Sequence, residues 1–202
     1  ADYNVFALVR TNDKNCMFPD KKIRQEVSDR IGTEFIGTLE MDTIIYTMLD
    51  LEQYIGKKID WVTGLTFEEV VELPQNNVLP SPIRRYCTEH LKMHPIFEWW
   101  QKEINEVVEM RIGFRANEQR RANNTIKKLV NGLLGIKHIV GKSKNGRNKW
   151  ATTYYQKPVF PLIDINNPIM KIDVENYWKD KPVRFAEINN CVGCFHRNEV
   201  LL

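Results

Sequence analysis

Cys191 and Cys194 form a C-x-x-C knuckle inside EINNCVGCFHRNEVLL, residues 187 to 202. Two thiols three positions apart can ligate a metal or cluster, run dithiol chemistry, or simply pack. Zinc takes about four ligands, and no second C-x-x-C occurs in the chain. A complete set would therefore draw on Cys87, with His196, His90 or a non-protein ligand as the fourth. Three cysteines and one open position also suit an iron–sulfur cluster. Cys87 lies in RRYCTEHLK (84 to 92), among Arg84, Arg85 and Lys92 and close to His90 and His94. Cationic neighbours favour the thiolate, the form that attacks electrophiles and binds metals. A single cysteine also serves as a small buried hydrophobe, and the isolated Cys16 is read that way.

IGFRANEQRR (112 to 121) carries Arg115, Glu118 and Arg121 just past an apolar, strand-like run. Ligands in open α/β sheets bind beyond the carboxyl ends of strands, and a guanidinium fork matches phosphate or sulfate oxygens. The segment is a candidate anion site, in which Glu118 would orient a polar group; an ordinary solvated loop is the alternative. GIKHIVGKS (135 to 143) has the look of a P-loop, but five residues separate its glycines where four are required, and NGRNK follows where a helix should begin. It is set aside.

The charge distribution points the same way. The net charge is only +3, yet residues 110 to 150 hold eleven Lys or Arg and a single acid, Glu118. A basic block in an otherwise acidic chain suggests an anionic partner, either a phosphate-bearing small molecule or tRNA or DNA gripped by residues 137 to 149. The turn GKSKNGRNK (141 to 149) is Gly-containing and free of acids. Between a lid over a nucleotide and a clamp on a nucleic-acid backbone, the lid is favoured because loops beside a site commonly close over ligands.

These groups need a scaffold, and 202 residues with 43% hydrophobic content suffice for one sizeable domain. The expectation is a single domain over 1 to 202, with residues 187 to 202 as a cysteine-containing tail. Four cysteines, no signal peptide, and apolar runs well short of the roughly 20 residues that span a bilayer predict a reducing, cytoplasmic setting without a membrane partner. VFALVR (5 to 10) reads as a core strand, Pro19 to Ile31 as a surface helix, and GTEFIGT as a short strand. Apolar residues at helical spacing from Met41 to Ile55 predict a helix stopped by Gly56, and Thr66 to Glu69 has capping-box form. Ile96 to Ile104 reads as a helix and VVEMRIGFR as a strand. ANEQRRANNTIKKLVNGLLG follows as a helix fading at Gly132 and Gly135, then WATTYYQ as a strand and DVENYW as a short helix. Strands alternating with helices predict an α/β fold with a twisted, mostly parallel sheet and helices on both faces.

In order and spacing, four segments resemble the phosphoadenosine phosphosulfate (PAPS) reductase family of the adenine nucleotide alpha hydrolase-like superfamily. They are RRYCTEHLKMHP, IGFRANEQRR, VFPLIDINNPIMKIDVENYW and CVGCF, and the likeness runs from about residue 5 to the end. The resemblance implies adenylate, as ATP or a sulfonucleotide, held at the carboxyl ends of parallel strands. Arg115, Glu118 and Arg121 would then border the nucleotide, with Arg85 and Lys92 near Cys87. It also implies sulfur chemistry: Cys87, Lys92 and Glu118 act in reduction of a sulfonucleotide or in sulfur transfer to an adenylated acceptor. Cys87, Cys191, Cys194 and His196 would hold a 4Fe-4S cluster, or zinc in its place. A non-catalytic nucleic-acid-binding module with structural zinc is the alternative. Two features depart from the family pattern. No Ser-Gly-Gly-x-Asp-Ser loop is present, so VFALVR corresponds to the family's second strand, and the first strand and loop are expected upstream of Ala1 or lost. Tyr86 stands where many relatives have a second cysteine.

Overall fold

The computed structural model describes residues 2–76, 78–163, 166–187, 191, 192, 194 and 195. The protein is mixed α/β and divides into two compact units, residues 1–103 with 182–202, and residues 104–181. Among the described residues no helix is long and apolar enough to cross a membrane.

In the first unit, β1 (Val5–Ala7) pairs in parallel with β4 (Asp60–Val62), and β2 (Arg10–Thr11) pairs antiparallel with β3 (Gly37–Thr38). VFALVR thus divides between two strands. Helices α1 (Lys21–Ile31) and α2 (Thr43–Ile55) lie between these strands in sequence. Asp20 caps α1 by accepting hydrogen bonds from the amides of Lys22 (2.8 Å) and Ile23 (3.2 Å), which satisfies two of the four amides a helix start leaves open. Gly56 ends α2 at φ 62°, a conformation that disfavours any side chain. Leu8, Phe18, Val27, Phe35 and Ile45 form the core with Trp61 of β4, each less than a tenth exposed. At Gly37 a Cβ would fall 1.8 Å from the Cys16 carbonyl oxygen, so this approach of β3 to the turn at Lys14–Cys16 requires glycine.

α3 (Phe67–Glu72) carries the expected capping box, with the Thr66 amide donating to Glu69 Oε2 at 2.7 Å. Beyond the proline loop, the chain becomes helical earlier than the sequence predicts. α4 (Tyr86–Thr88) runs into a π-helical stretch, Glu89–Met93, and then α5 (His94–Glu103). Pro95 explains the π turn. It has no amide to give the Leu91 carbonyl, and its ring would press on that carbonyl in an ordinary α turn; widening to an i→i+5 bond, His94 amide to Glu89 carbonyl, relieves this.

The second unit is built on β5 (Val108–Arg111), β6 (Leu134–Lys142) and β7 (Asn148–Val159). β7 is central, parallel to β5 and antiparallel to β6. GIKHIVGKS therefore contributes to a strand rather than a phosphate loop. α6 (Gln119–Ile126) ends sooner than the apolar pattern predicts, because Val130 and Leu133 exchange backbone hydrogen bonds at 3.0 Å and close a turn. α7 (Lys171–Trp178) matches the predicted short helix. The α/β expectation holds at the level of class. The described strands form three small sheets, two of which contain parallel pairs.

Candidate functional site

Beyond the carboxyl end of β1, Val9 forms a buried cluster with Val70 of α3 and Leu91 of the π stretch, and Cys87 and Cys191 both pack against it. The 87 and 191 segments, over a hundred positions apart, are brought together here. Spacing explains one half: Cys87 and Leu91 are four apart on a helical stretch, so they share a face. The other half is tertiary, since the Val192 amide donates to the Leu39 carbonyl at 2.6 Å and fastens the knuckle just past β3. Within the knuckle, the Cys194 amide donates to the Cys191 carbonyl at 3.0 Å. All four cysteines of the chain are free thiols.

Near Cys191 lies Glu40, which sequence reasoning missed. Its side chain is 3% exposed; one oxygen, Oε1, receives the Lys92 ammonium at 2.6 Å, and Oε2 is buried without a hydrogen-bond partner among the described residues. The only sequence signal is an acid following the apolar FIGTL run, which is too common to single out. Burial, reinforced by the Glu40 carboxylate and opposed by Lys92, pushes the Cys191 thiol up to about 11; Cys194 and Cys87 add smaller upward effects. Cys191 is consequently a protonated thiol at neutral pH. His90 is held below its usual range, first by burial and then by His94, whose ring lies 5.3 Å away, against an upward pull from Glu89. Its imidazole is therefore neutral at pH 7 and keeps a lone pair for a proton or metal. Arg85 is exposed at the start of α4, and His196 lies outside the described residues.

The thiol donors suit zinc or an iron–sulfur centre by type. Among the described residues, however, no three His, Cys, Asp or Glu side chains stand together in an arrangement that would hold a metal ion.

In the second unit, Arg115, Glu118 and Arg121 lie beyond the carboxyl end of β5 and form a bridged triad. Glu118 Oε2 accepts from the Arg115 side chain at 2.8 Å and from its amide at 3.1 Å, while Oε1 pairs with Arg121. Arg121 also stacks over Phe114, 4.4 Å from the ring centre. The Arg115 side-chain hydrogen bond is the main reason that the Glu118 carboxyl is lowered to about 2, followed by the Arg115 amide, with Arg121 adding to it against some desolvation. Glu118 thus stays ionised near neutrality and orients two guanidiniums, with one positive charge in excess. It is a positioning residue rather than a proton donor.

The acid stability of this triad has a defined sign. Because the folded carboxyl titrates below its ordinary value of 4.5, its contribution is complete above pH 4.5 and is lost as pH falls toward about 2. With Arg121 largely solvated, we expect about 1–2 kcal/mol. Denaturant unfolding between these pH values should show a shallower loss for Glu118→Gln than for the parent; parallel curves would show that the pairing contributes nothing.

No protein-family model, curated protein or solved structure matches this chain.

Proposed function

We propose that the protein is a PAPS reductase-like, nucleotide-dependent enzyme of sulfur chemistry, acting in a reducing, cytoplasmic setting. The observation carrying this reading is the packing of Cys87 and Cys191 on one cluster past the carboxyl end of a parallel strand, beside the buried Glu40 carboxylate and its partner Lys92. Ligands of open α/β sheets bind at that end, and the finer fold expectation, one twisted and mostly parallel sheet, belongs to the same reading. In sulfonucleotide reduction the Cys87 thiolate bonds to the sulfate sulfur, and in sulfur transfer a hydrosulfide from an external sulfide donor bonds to the adenylated carbon of the acceptor. Adenosine phosphate then leaves with the electron pair on its phosphate oxygen. In the reduction, an external dithiol then breaks the bond from the Cys87 sulfur to the sulfonate, sulfite leaves, and the second thiol resolves the mixed disulfide so that Cys87 is freed and the dithiol becomes a disulfide.

Cys87 is the nucleophile or a ligand, Lys92 holds negative charge beside it, and Arg85 is an exposed cation at the same helix start. Arg115 and Arg121, aimed by Glu118, bind phosphate or sulfate. Cys87, Cys191, Cys194 and His196 are the residues that would hold a 4Fe-4S cluster or zinc, which would supply electrophilic stabilisation of sulfur and sulfate charge. The raised Cys191 thiol must lose its proton to ligate, so metal uptake should rise with pH.

Calorimetry with ATP and a sulfonucleotide, combined with an anaerobic absorption spectrum and iron and zinc analysis, tests the proposal. The parent should bind an adenine nucleotide, and Arg115→Ala should weaken binding by about 1.5–3 kcal/mol, the value of a charged hydrogen bond. Absence of binding by the parent, or no change in a folded Arg115→Ala variant, would count against the reading.

A further inference from the structure

We propose that the β6–β7 hairpin is a binding surface for single-stranded nucleic acid, with Trp150 and Tyr154 as stacking platforms and the basic tip as the phosphate contact. β5 pairs with β7 only from Gln156 to Val159, so residues 148 to 155 of β7 pair with β6 alone and form a two-stranded ribbon. Register places Lys137 opposite Thr152, Ile139 opposite Trp150 and Gly135 opposite Tyr154, which puts these six residues on one face. The other face carries Ile136 and Tyr155, 4% and 3% exposed, and is core. On the first face Trp150 is 48% exposed, Tyr154 42% and Ile139 49%.

An exposed aromatic face is costly in water, and its surroundings indicate what covers it. From Leu134 to Val159 there are six Lys or Arg and no Asp or Glu. The Lys137 ammonium sits 5.1 Å from the Trp150 ring centre, so positive charge adjoins the platform itself. Trp150 and Tyr154 are four residues apart on one strand, about 13 Å, and a chain laid along the ribbon meets one ring and then the other. Tyr154 is held in place: a Cβ at Gly135 would fall 2.6 Å from its ring, so the ring lies over the cross-strand glycine.

At the tip, Lys142, Lys144, Arg147 and Lys149 flank a turn closed by the Ser143 amide donating to the Arg147 carbonyl (2.7 Å) and the Gly146 amide donating to the Ser143 carbonyl (2.9 Å). The sequence favours a lid, but a turn tied at the end of a ribbon is better built to hold charges in a fixed array. Aromatic platforms with neighbouring cations are the general chemistry of single-strand binding. A duplex buries its base faces and a lipid surface offers none, so neither would use both features.

Fluorescence anisotropy with short labelled oligo(dT) and oligo(U), measured across a salt series, tests this. Trp150→Ala should weaken binding about 5- to 150-fold, the effect of losing one stacked base, and Trp150→Phe should retain most of the affinity. Changing Lys142, Lys144, Arg147 and Lys149 together to Ala should reduce the salt slope by up to about 3, since each single-strand phosphate contact contributes about 0.7. Tighter binding to oligo(U) identifies RNA, and equal or tighter binding to oligo(dT) identifies recognition without the 2′-hydroxyl; either supports the proposal. Equal affinity for duplex and single strand, binding indifferent to Trp150→Ala, or self-association through this face that Trp150→Ala abolishes would overturn it. The proposal does not rest on the sulfur-chemistry reading, and Cys87→Ser should leave oligonucleotide binding unchanged.

Discussion

Replacing Cys87 with serine is expected to lower nucleotide-dependent sulfur turnover by roughly 10³-fold or more, the order of loss that follows removal of a covalent nucleophile. The assay is sulfite release from a sulfonucleotide with an external dithiol under argon, or thiolation of an adenylated acceptor. Serine is nearly the same size as cysteine, and Cys87 only borders the Val9, Val70 and Leu91 cluster, so the fold should tolerate the change. Cys16 is the natural control: it lies in the turn at Lys14–Cys16, and its thiol is raised chiefly by burial, with acids at positions 13, 68 and 42 adding to the effect. Cys16→Ser should leave turnover intact. Metal analysis of the same variants separates the two roles of Cys87. A ligand lost at position 87 lowers iron or zinc together with activity, whereas a lost nucleophile leaves the metal in place. Full activity in Cys87→Ser would remove Cys87 from the chemistry altogether.

Lys92→Met should destabilise the first unit by about 2–3 kcal/mol. Breaking a fully buried ion pair by removing one partner costs about 3–5 kcal/mol; Lys92 is 40% exposed, so part of its charge is already met by solvent and the figure is reduced. The loss arises at Glu40, whose side chain is 3% exposed and would have no cation against Oε1, while Oε2 has no hydrogen-bond partner among the described residues. Glu40→Gln combined with Lys92→Met should recover most of the stability, because the neutral amide carries far less desolvation cost than a carboxylate. The thiol gives an independent readout. Glu40 raises Cys191 and Lys92 lowers it, so the alkylation profile of Cys191 should move to lower pH in Glu40→Gln and to higher pH in Lys92→Met. Equal stability of all three variants would mean that water already solvates this carboxylate.

Features governed by neighbours along the chain were legible without coordinates. The Thr66–Glu69 capping box, the stop at Gly56 and the helical spacing before it each depend on a few adjacent residues, and each is present; of the strand predicted over VVEMRIGFR, only Val108–Arg111 is one. Arg115, Glu118 and Arg121 were legible as charged groups just past a strand, but their pairing through the two Glu118 oxygens was not. Pro95 shows where a local rule stops: a proline usually begins or ends a helix, but here packing of Leu91 retained the helix and the backbone widened into a π turn.

Sequence alone determined the mixed α/β class, the capping box at Thr66–Glu69 and the helix stop at Gly56, because propensity and spacing act over a few residues. Tertiary structure decided the rest. Glu40 became notable only when burial removed water from it, the Cys191 thiol was raised only when burial removed its water and Glu40 came near, against Lys92, and Trp150 became a surface residue only when pairing with Ile139 fixed which face of β7 turned outward. Each of these depends on contacts between segments far apart in the chain, and the energies that set them, desolvation and strand register, have no value until the partners meet.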